Sequence, residues 1–365
     1  MREKEAMAPA ARSAGLLRRF GMDGPSLSEQ GSQQRLRSRV GRALLVPEVA
    51  SATGLVVLII IFELLSSHFL SAANISGTTT DISLVGIISV GVTLLMISGQ
   101  FDLSVGVNAQ LTAIVMGQLL ADEHIAVLLA LLVALGCAAL IGVVNGVVTV
   151  YLRVPSFIAT LGMYFFLDGL AFIITNGYSV NVFAYGGNVM NALGGSVTSA
   201  LGAPFLWMIG IALVGGLILN GAQYGNWTFA AGSRDGTSAR MIGVPVRRVY
   251  MTNFIVCAVL AGFAGIVSLA EYGSVSLGFA SNYNLLAIVA AVLGGVSLFG
   301  GRGSIHGAII GSAVLGVLET GFVIAGAPGT LYESVTGAVL VIAVLLNVRI
   351  EVVGRSLVMS RRGRT

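Results

Sequence analysis

Lysine is almost missing from this sequence: Lys4 is the only one in 365 residues. A phosphate-cradling loop of the Walker A type ends in a lysine, so none is present, and any ATP hydrolysis that drives this chain belongs to another polypeptide. Charge of either sign is scarce, at 10% of residues, which excludes both a soluble enzyme and a disordered chain. The two cysteines, Cys137 and Cys257, stand in apolar runs; they read as small hydrophobes and support neither a disulfide scaffold nor a redox pair. His306 adjoins a glycine loop, but no second His, Cys or acid lies at ligand spacing, so no metal site is expected. No catalytic triad or paired-acid motif with enzyme spacing occurs, and an enzyme is not expected.

What fills the sequence instead is apolar: 56% of residues are hydrophobic and the mean hydropathy is +0.92. A helical crossing needs about 20 apolar residues, so there is room for roughly ten. The expected spans are 49–70, 82–99, 105–121, 125–151, 156–175, 204–220, 251–271, 284–299, 305–325 and 331–347. Several are short and interrupted by glycine, which suggests broken or re-entrant helices. The first run is too long and begins too late for a signal peptide. The fold class is therefore all-α: a polytopic membrane domain over 49–347, between a basic tail at 1–48, expected to be disordered, and a second basic tail at 348–365.

Each tail carries a net charge of +4 and the domain between them −4. With ten spans and a cytoplasmic amino terminus, the inside loops hold Arg153, then Arg234, Arg240, Arg247 and Arg248, then Arg302. The outside loops, near 71–81, 122–124, 176–203, 272–283 and 326–330, contain no Lys or Arg. This asymmetry places both termini in the cytoplasm; the net charge reports topology and lipid, with no nucleic-acid partner.

The 49 glycines are about twice the usual share of roughly 7%. Small-xxx-small pairs at Gly142 and Gly146 and at Gly307 and Gly311 predict close helix contacts. Three polar clusters stand out. GQFDLSVG at 99–106 puts Asp102 where it can cap a following helix or touch a substrate. LFGGRGSIHG at 298–307 is a glycine-rich loop containing Gly300, Gly301, Arg302 and Gly303, with Arg302 read as a cytoplasmic anchor. The long inside loop 221–250, with Arg234, Asp235, Arg240 and Gly243, has room for one short helix across the membrane face. Glu63, Asp168 and Glu319 are acids inside expected spans and functional suspects on that ground; Glu271, at a span end, reads as interfacial.

Together these clusters resemble the membrane permease subunit of bacterial ABC importers for monosaccharides, the ribose and xylose type. The resemblance rests on GQFDLSVG at 99–106, GVVNGVVTVYLRVPSFIATLGM at 142–163, TNGYSV at 175–180 and AIVAAVLGGVSLFGGRGSIHGAIIGSAVLGVL at 287–318. It implies the permease fold of vitamin B12-type importers, a homodimer or a pair with a paralogue, and a bacterial plasma (inner) membrane location. It also implies an ATP-binding subunit inside, which holds ATP and Mg, and an extracytoplasmic sugar-binding protein outside. The loop at 221–250 would carry the coupling helix. A neutral sugar calls for hydroxyl and amide groups along the path, and Asp102, Ser104, Asn108, Asn145, Ser156 and Thr160 are the candidates. Asp168, Asn284 and Leu286 depart from the family's usual residues, as does the segment SRDGTSARMIG. The alternatives are a permease for a polyol, nucleoside or branched-chain amino acid, or a stand-alone proton-coupled transporter using Asp168 or Glu319.

Overall fold

The computed structural model describes residues 47–121, 125–185, 187–233, 236–328 and 330–345. The basic tails, but for residues 47 and 48, and the coupling candidates Arg234 and Asp235 lie outside the described residues.

In chain order α1 is Pro47–Leu65, α2 Ala72–Ile97, α3 Val105–Ala121, α4 Val127–Val150 and α5 Ser156–Thr175. A two-residue strand, β1 (Val180–Asn181), and a short helix, α6 (Asn188–Gly194), lead to α7 (Ala203–Gly221). Then come α8 (Gln223–Ala231), α9 (Thr237–Met241), α10 (Val246–Tyr272), β2 (Ser274–Val275), α11 (Tyr283–Leu293) and α12 (Ile305–Ile324). The last described helix is α13, Thr330–Leu345. Among the described residues seven helices are long and apolar enough to cross a membrane, and α3, α11 and α13 are shorter apolar helices. Together they fall on the expected segments.

The ends differ in informative ways. α2 begins at Ala72, a decade before the expected start, so Asp81 lies within a helix and not in a loop. Hydropathy misses this turn because it is rich in Thr and Ser, yet Thr79 Oγ1 donates to the carbonyls of Ile75 and Ser76 and Ser71 Oγ accepts the Asn74 N–H. Hydroxyls that bond back to their own helix can enter a membrane. α11 is shorter than expected and ends at Gly294 and Gly295, the latter at φ 87. Eleven residues rise only about 16 Å at 1.5 Å each, roughly half a hydrocarbon core, so α11 is a half-span.

Both glycine pairs sit at helix contacts. A Cβ at Gly142 would press on Ile255 Cα and the Phe254 carbonyl in α10, and one at Gly311 would overlap the Ala290 carbonyl in α11. The bundle is built around α2, buried almost continuously from Thr78 to Ile97, which packs against α7, α10, α11 and α12, while α10 also holds α3 and α4. Large apolar side chains on α4, α5 and α7, including Leu132, Phe165, Phe166 and Leu217, point outward. With little apolar driving force between helices in lipid, close approach through small residues is what holds such a bundle.

One end of the bundle is fixed by contacts among its connectors. Gly301 N donates to the Ile97 carbonyl at 2.8 Å, Ser156 Oγ accepts from Phe101 N at 3.2 Å, and Ser304 Oγ donates to Glu48 at 2.9 Å. Arg153, Arg302 and the segment with Arg240, Arg247 and Arg248 therefore share this end. At the other end β1 pairs antiparallel with β2, Val180 opposite Val275, and Tyr272 Oη donates to Asp81 at 3.2 Å.

Candidate translocation and coupling sites

Asp102, in the connector between α2 and α3, is 2% exposed. Its Oδ1 accepts from Ser104 N at 2.8 Å and Ser104 Oγ at 2.6 Å, a side-chain turn that stops α2 and launches α3. Asn145 of α4, 1% exposed, reaches across and donates through Nδ2 to Asp102 Oδ2 at 3.1 Å and Ser104 Oγ at 2.9 Å. Burial pushes the Asp102 carboxyl above its ordinary value, and the hydrogen bonds from Ser104 and Asn145 draw it back. On α5, Thr160 Oγ1 accepts from Leu103 N at 3.0 Å. On α3, Asn108 donates to the Ala258 carbonyl of α10 at 3.0 Å.

The structure thus gathers Asp102, Ser104, Asn145, Ser156 and Thr160 into one buried polar knot, with Asn108 one turn beyond. What it does chemically is satisfy the loose ends of a helix break by tying α4 and α5 to them. Asp102 acts by an Asx-type turn ahead of Ser104, a variation on the expected cap.

The glycine-rich loop is a seat for the end of α8. Gly300, Gly301 and Gly303 all have positive φ, at 79°, 73° and 151°. Gly99, Gly232, Gly300 and Gly301 meet backbone to backbone: a Cβ on Gly232 would overlap the Ile97 carbonyl and press on Gly301 N. The end of α8 is consequently locked against the ends of both α2 and the loop before α12.

The segment 221–250 holds two short helices, α8 and α9, where one was expected. Gly232 ends α8, and Gly236 at φ 66 starts α9, so the chain turns twice. Ala239 of α9 packs with Ala231, Val246, Val249 and Tyr250, and Tyr250 Oη donates to the Ala231 carbonyl at 3.0 Å. This small core holds Met241 and Ile242 outward at 83% and 79% exposure. Arg240, Arg247 and Arg248 line an adjoining cavity of about 520 Å³, and Gly243 turns the chain at φ 86. The sequence singled out Arg240 and Gly243 but passed over Met241 and Ile242. Their signal was an apolar pair stranded in a polar loop. Behind them, Tyr224 of α8 donates to Asn253 Oδ1 at 2.6 Å and Asn253 donates to the Leu94 carbonyl at 3.2 Å, a polar line from α8 through α10 to α2. Burial pushes the Tyr224 hydroxyl up to about 12.

The acids separate. Glu63 accepts the Leu70 N–H at 3.0 Å and closes the turn after α1. Asp168 is exposed on the outer face of α5. Glu319 lines a cavity of about 570 Å³ with Tyr283 of α11 and Tyr332, Glu333 and Thr336 of α13. Glu271 is near an end of α10, its Oε2 buried without a hydrogen-bond partner. Among the described residues no group of three metal-ligating side chains occurs.

The sequence pattern of a family described as branched-chain amino acid transport system / permease component matches residues 74–344, nearly the whole of this bundle. The chain belongs to this permease family. It is 33% identical over 301 residues to the xylose/arabinose import permease protein of Sulfolobus acidocaldarius, covering 80% of this chain and 82% of the relative. It is 34% identical over 302 residues to the ribose import permease protein of Escherichia coli K12, covering 82% and 93%, and 29% identical over 289 residues to the fructose import permease protein of Rhizobium meliloti, covering 78% and 80%. No solved structure matches the chain significantly. The permease is an all-α, multi-pass membrane protein and a transport component, not an enzyme. Its buried knot falls in the match, as does the exposed pair on α9.

Proposed function

We propose that this permease is the membrane subunit of an ATP-driven importer that carries a monosaccharide, a pentose or hexose, into the cytoplasm. The observation that carries the substrate class is the agreement among relatives named for xylose/arabinose, ribose and fructose import, each matched over about four-fifths of this chain. An extracytoplasmic binding protein delivers the sugar, and a separate subunit binds and hydrolyses ATP with Mg. The permease works as a homodimer or beside a paralogue in the bacterial plasma membrane. The end bearing Arg153, Arg240, Arg247, Arg248 and Arg302 faces the cytoplasm, because basic loops stay inside.

Coupling runs through 221–250. The ATPase takes Met241 and Ile242 into an apolar cleft, flanked by Arg240, while Gly243 permits the turn that exposes them; Arg234 and Asp235 belong to the same stretch of sequence. Closure of the ATPase pair moves α8 and α9, and the main-chain seat at Gly232 and the Tyr224–Asn253 line pass that movement to α2 and α10. Asp102, Ser104, Asn145, Ser156 and Thr160 serve the path as its fixed wall: the first three bond to one another and Ser156 and Thr160 accept from the Phe101 and Leu103 N–H groups beside them, so that α3 is held against α4 and α5 during the movement. The test is uptake of D-ribose, D-xylose and D-fructose by vesicles holding permease, ATPase and binding protein. ATP-dependent uptake of one of them is the expected result. Uptake by the permease alone in a proton gradient would replace this reading with an ion-coupled one.

A further inference from the structure

The cavity at Glu319 lies at the end opposite the arginine-bearing connectors, next to Asp81. Its volume of about 570 Å³ falls within the roughly 300–1,000 Å³ of small-molecule sites. Three features give it a chemistry. The hydroxyls of Tyr332 and Thr336 are buried without a well-formed hydrogen bond: their near partners are each other and Glu319, which leaves them donor and acceptor capacity to offer a ligand. Aromatic surface adjoins them, where Phe279 and Tyr283 meet edge to face with centroids 6.0 Å apart. The charge is of one sign: Glu319 and Glu333 line the cavity and Asp81 is near enough to act electrostatically on Glu319 and Tyr283, while the connectors on this side, including 272–283 and 326–330, contain no Lys or Arg.

We propose that this cavity is a binding stop for a neutral monosaccharide within the permease itself, with Glu319, Tyr332 and Thr336 meeting sugar hydroxyls and the Phe279–Tyr283 surface meeting a C–H face. The inference rests on the sugar-import reading and deepens it. Carboxylates accept hydrogen bonds from hydroxyls, the two protein hydroxyls both donate and accept, and an aromatic face covers the apolar side of a sugar ring. The same charge pattern turns away anions, since a phosphate or carboxylate entering here would meet acids and no cation. Sugar phosphates and uronates, which carry a net negative charge, are therefore excluded. The permease adds a charge filter of its own to whatever selection occurs before the substrate arrives.

The test uses the full chain in lipid nanodiscs, titrated with D-ribose, D-xylose and D-fructose by saturation-transfer NMR, beside uptake by the complete vesicle system. Saturable binding of the sugar that is taken up is expected, with no binding of D-glucuronate or D-ribose 5-phosphate. Losing one hydrogen bond to a charged acceptor should weaken binding by about tenfold or more in Glu319→Gln. The near-isosteric Thr336→Val should weaken it by several-fold. KM for uptake should rise by similar factors. If uptake proceeds but both variants keep wild-type affinity and KM, or if the wild-type chain shows no saturable binding, the cavity is not a sugar site and the importer reading stands. If the complete system takes up none of the three sugars, the importer reading fails, and the inference falls with it.

Discussion

Replacing Asn145 by Leu keeps the side-chain volume nearly constant and removes both hydrogen bonds that tie α4 to the α2–α3 break. The bond to Asp102, at 3.1 Å, ends on a carboxylate and is worth about 1.5–3 kcal/mol; the one to Ser104, at 2.9 Å, is neutral and worth about 0.5–1.5 kcal/mol. The sum, about 2–4.5 kcal/mol, is a large share of the roughly 5–15 kcal/mol by which domains are stable. Both residues are at most 2% exposed, so water is poorly placed to replace what is lost. The measurement is the free energy of unfolding in mixed micelles as dodecyl sulfate is titrated, with wild type, Asn145→Leu, Asp102→Ala and the double variant completing a cycle. In the Asp102→Ala background Asn145→Leu should cost only its bond to Ser104, about 0.5–1.5 kcal/mol, giving a coupling of about 1.5–3 kcal/mol. Effects that add to within about 0.5 kcal/mol would refute the knot as a unit.

Three further outcomes are expected. Gly232→Ala places a Cβ against the Ile97 carbonyl and Gly301 N; it should destabilise the bundle by about 1–3 kcal/mol and uncouple ATP hydrolysis from uptake, and a coupled, wild-type-like variant would count against the main-chain seat. Met241→Ser with Ile242→Ser, at side chains 83% and 79% exposed, should leave the unfolding midpoint unchanged while ATPase affinity, read by co-purification and titration, falls by about tenfold or more. Tyr224→Phe leaves buried Asn253 Oδ1 without its 2.6 Å donor and should cost about 1–3 kcal/mol. Because burial raises this hydroxyl from 10.0 to about 12, its contribution should be complete below pH 10 and lost as the pH climbs through about 12, which a pH series of wild type against Tyr224→Phe measures.

Hydropathy was enough to find every apolar helix, because each run of aliphatic residues has one low-energy form in lipid. It misplaced ends where a side chain changes the rule. The turn from Ala72 to Asp81 looks like a loop by composition but is helical because its hydroxyls bond to the helix's own carbonyls. α11 looks like a span but stops early at two glycines. The candidate residues at 102–160 were legible as a set, since Asp, Ser and Asn at a helix junction are unusual in an apolar chain. That Asn145 bonds to Asp102 and Ser104 was not legible, because contact between α4 and the α2–α3 break depends on packing across 43 residues of sequence. Met241 and Ile242 carried a signal, an apolar pair within a polar loop, but it is a faint one in so apolar a protein, and only the structure shows them pointing outward.

The meeting of Gly99, Gly232, Gly300 and Gly301 bears on how faithfully displacement is transmitted. Side-chain contacts have slack, since a rotamer change can absorb an ångström of shift before the neighbouring element feels it. Here peptide rests on peptide, and peptide planes do not change rotamer. On the proposed coupling, a displacement reaching Gly232 would pass to the end of α2 and to the loop before α12 together, so two helices from distant parts of the sequence would be driven in one stroke. Such a joint also leaves the exposed side chains around it free to vary, since none of them is part of the bearing surface.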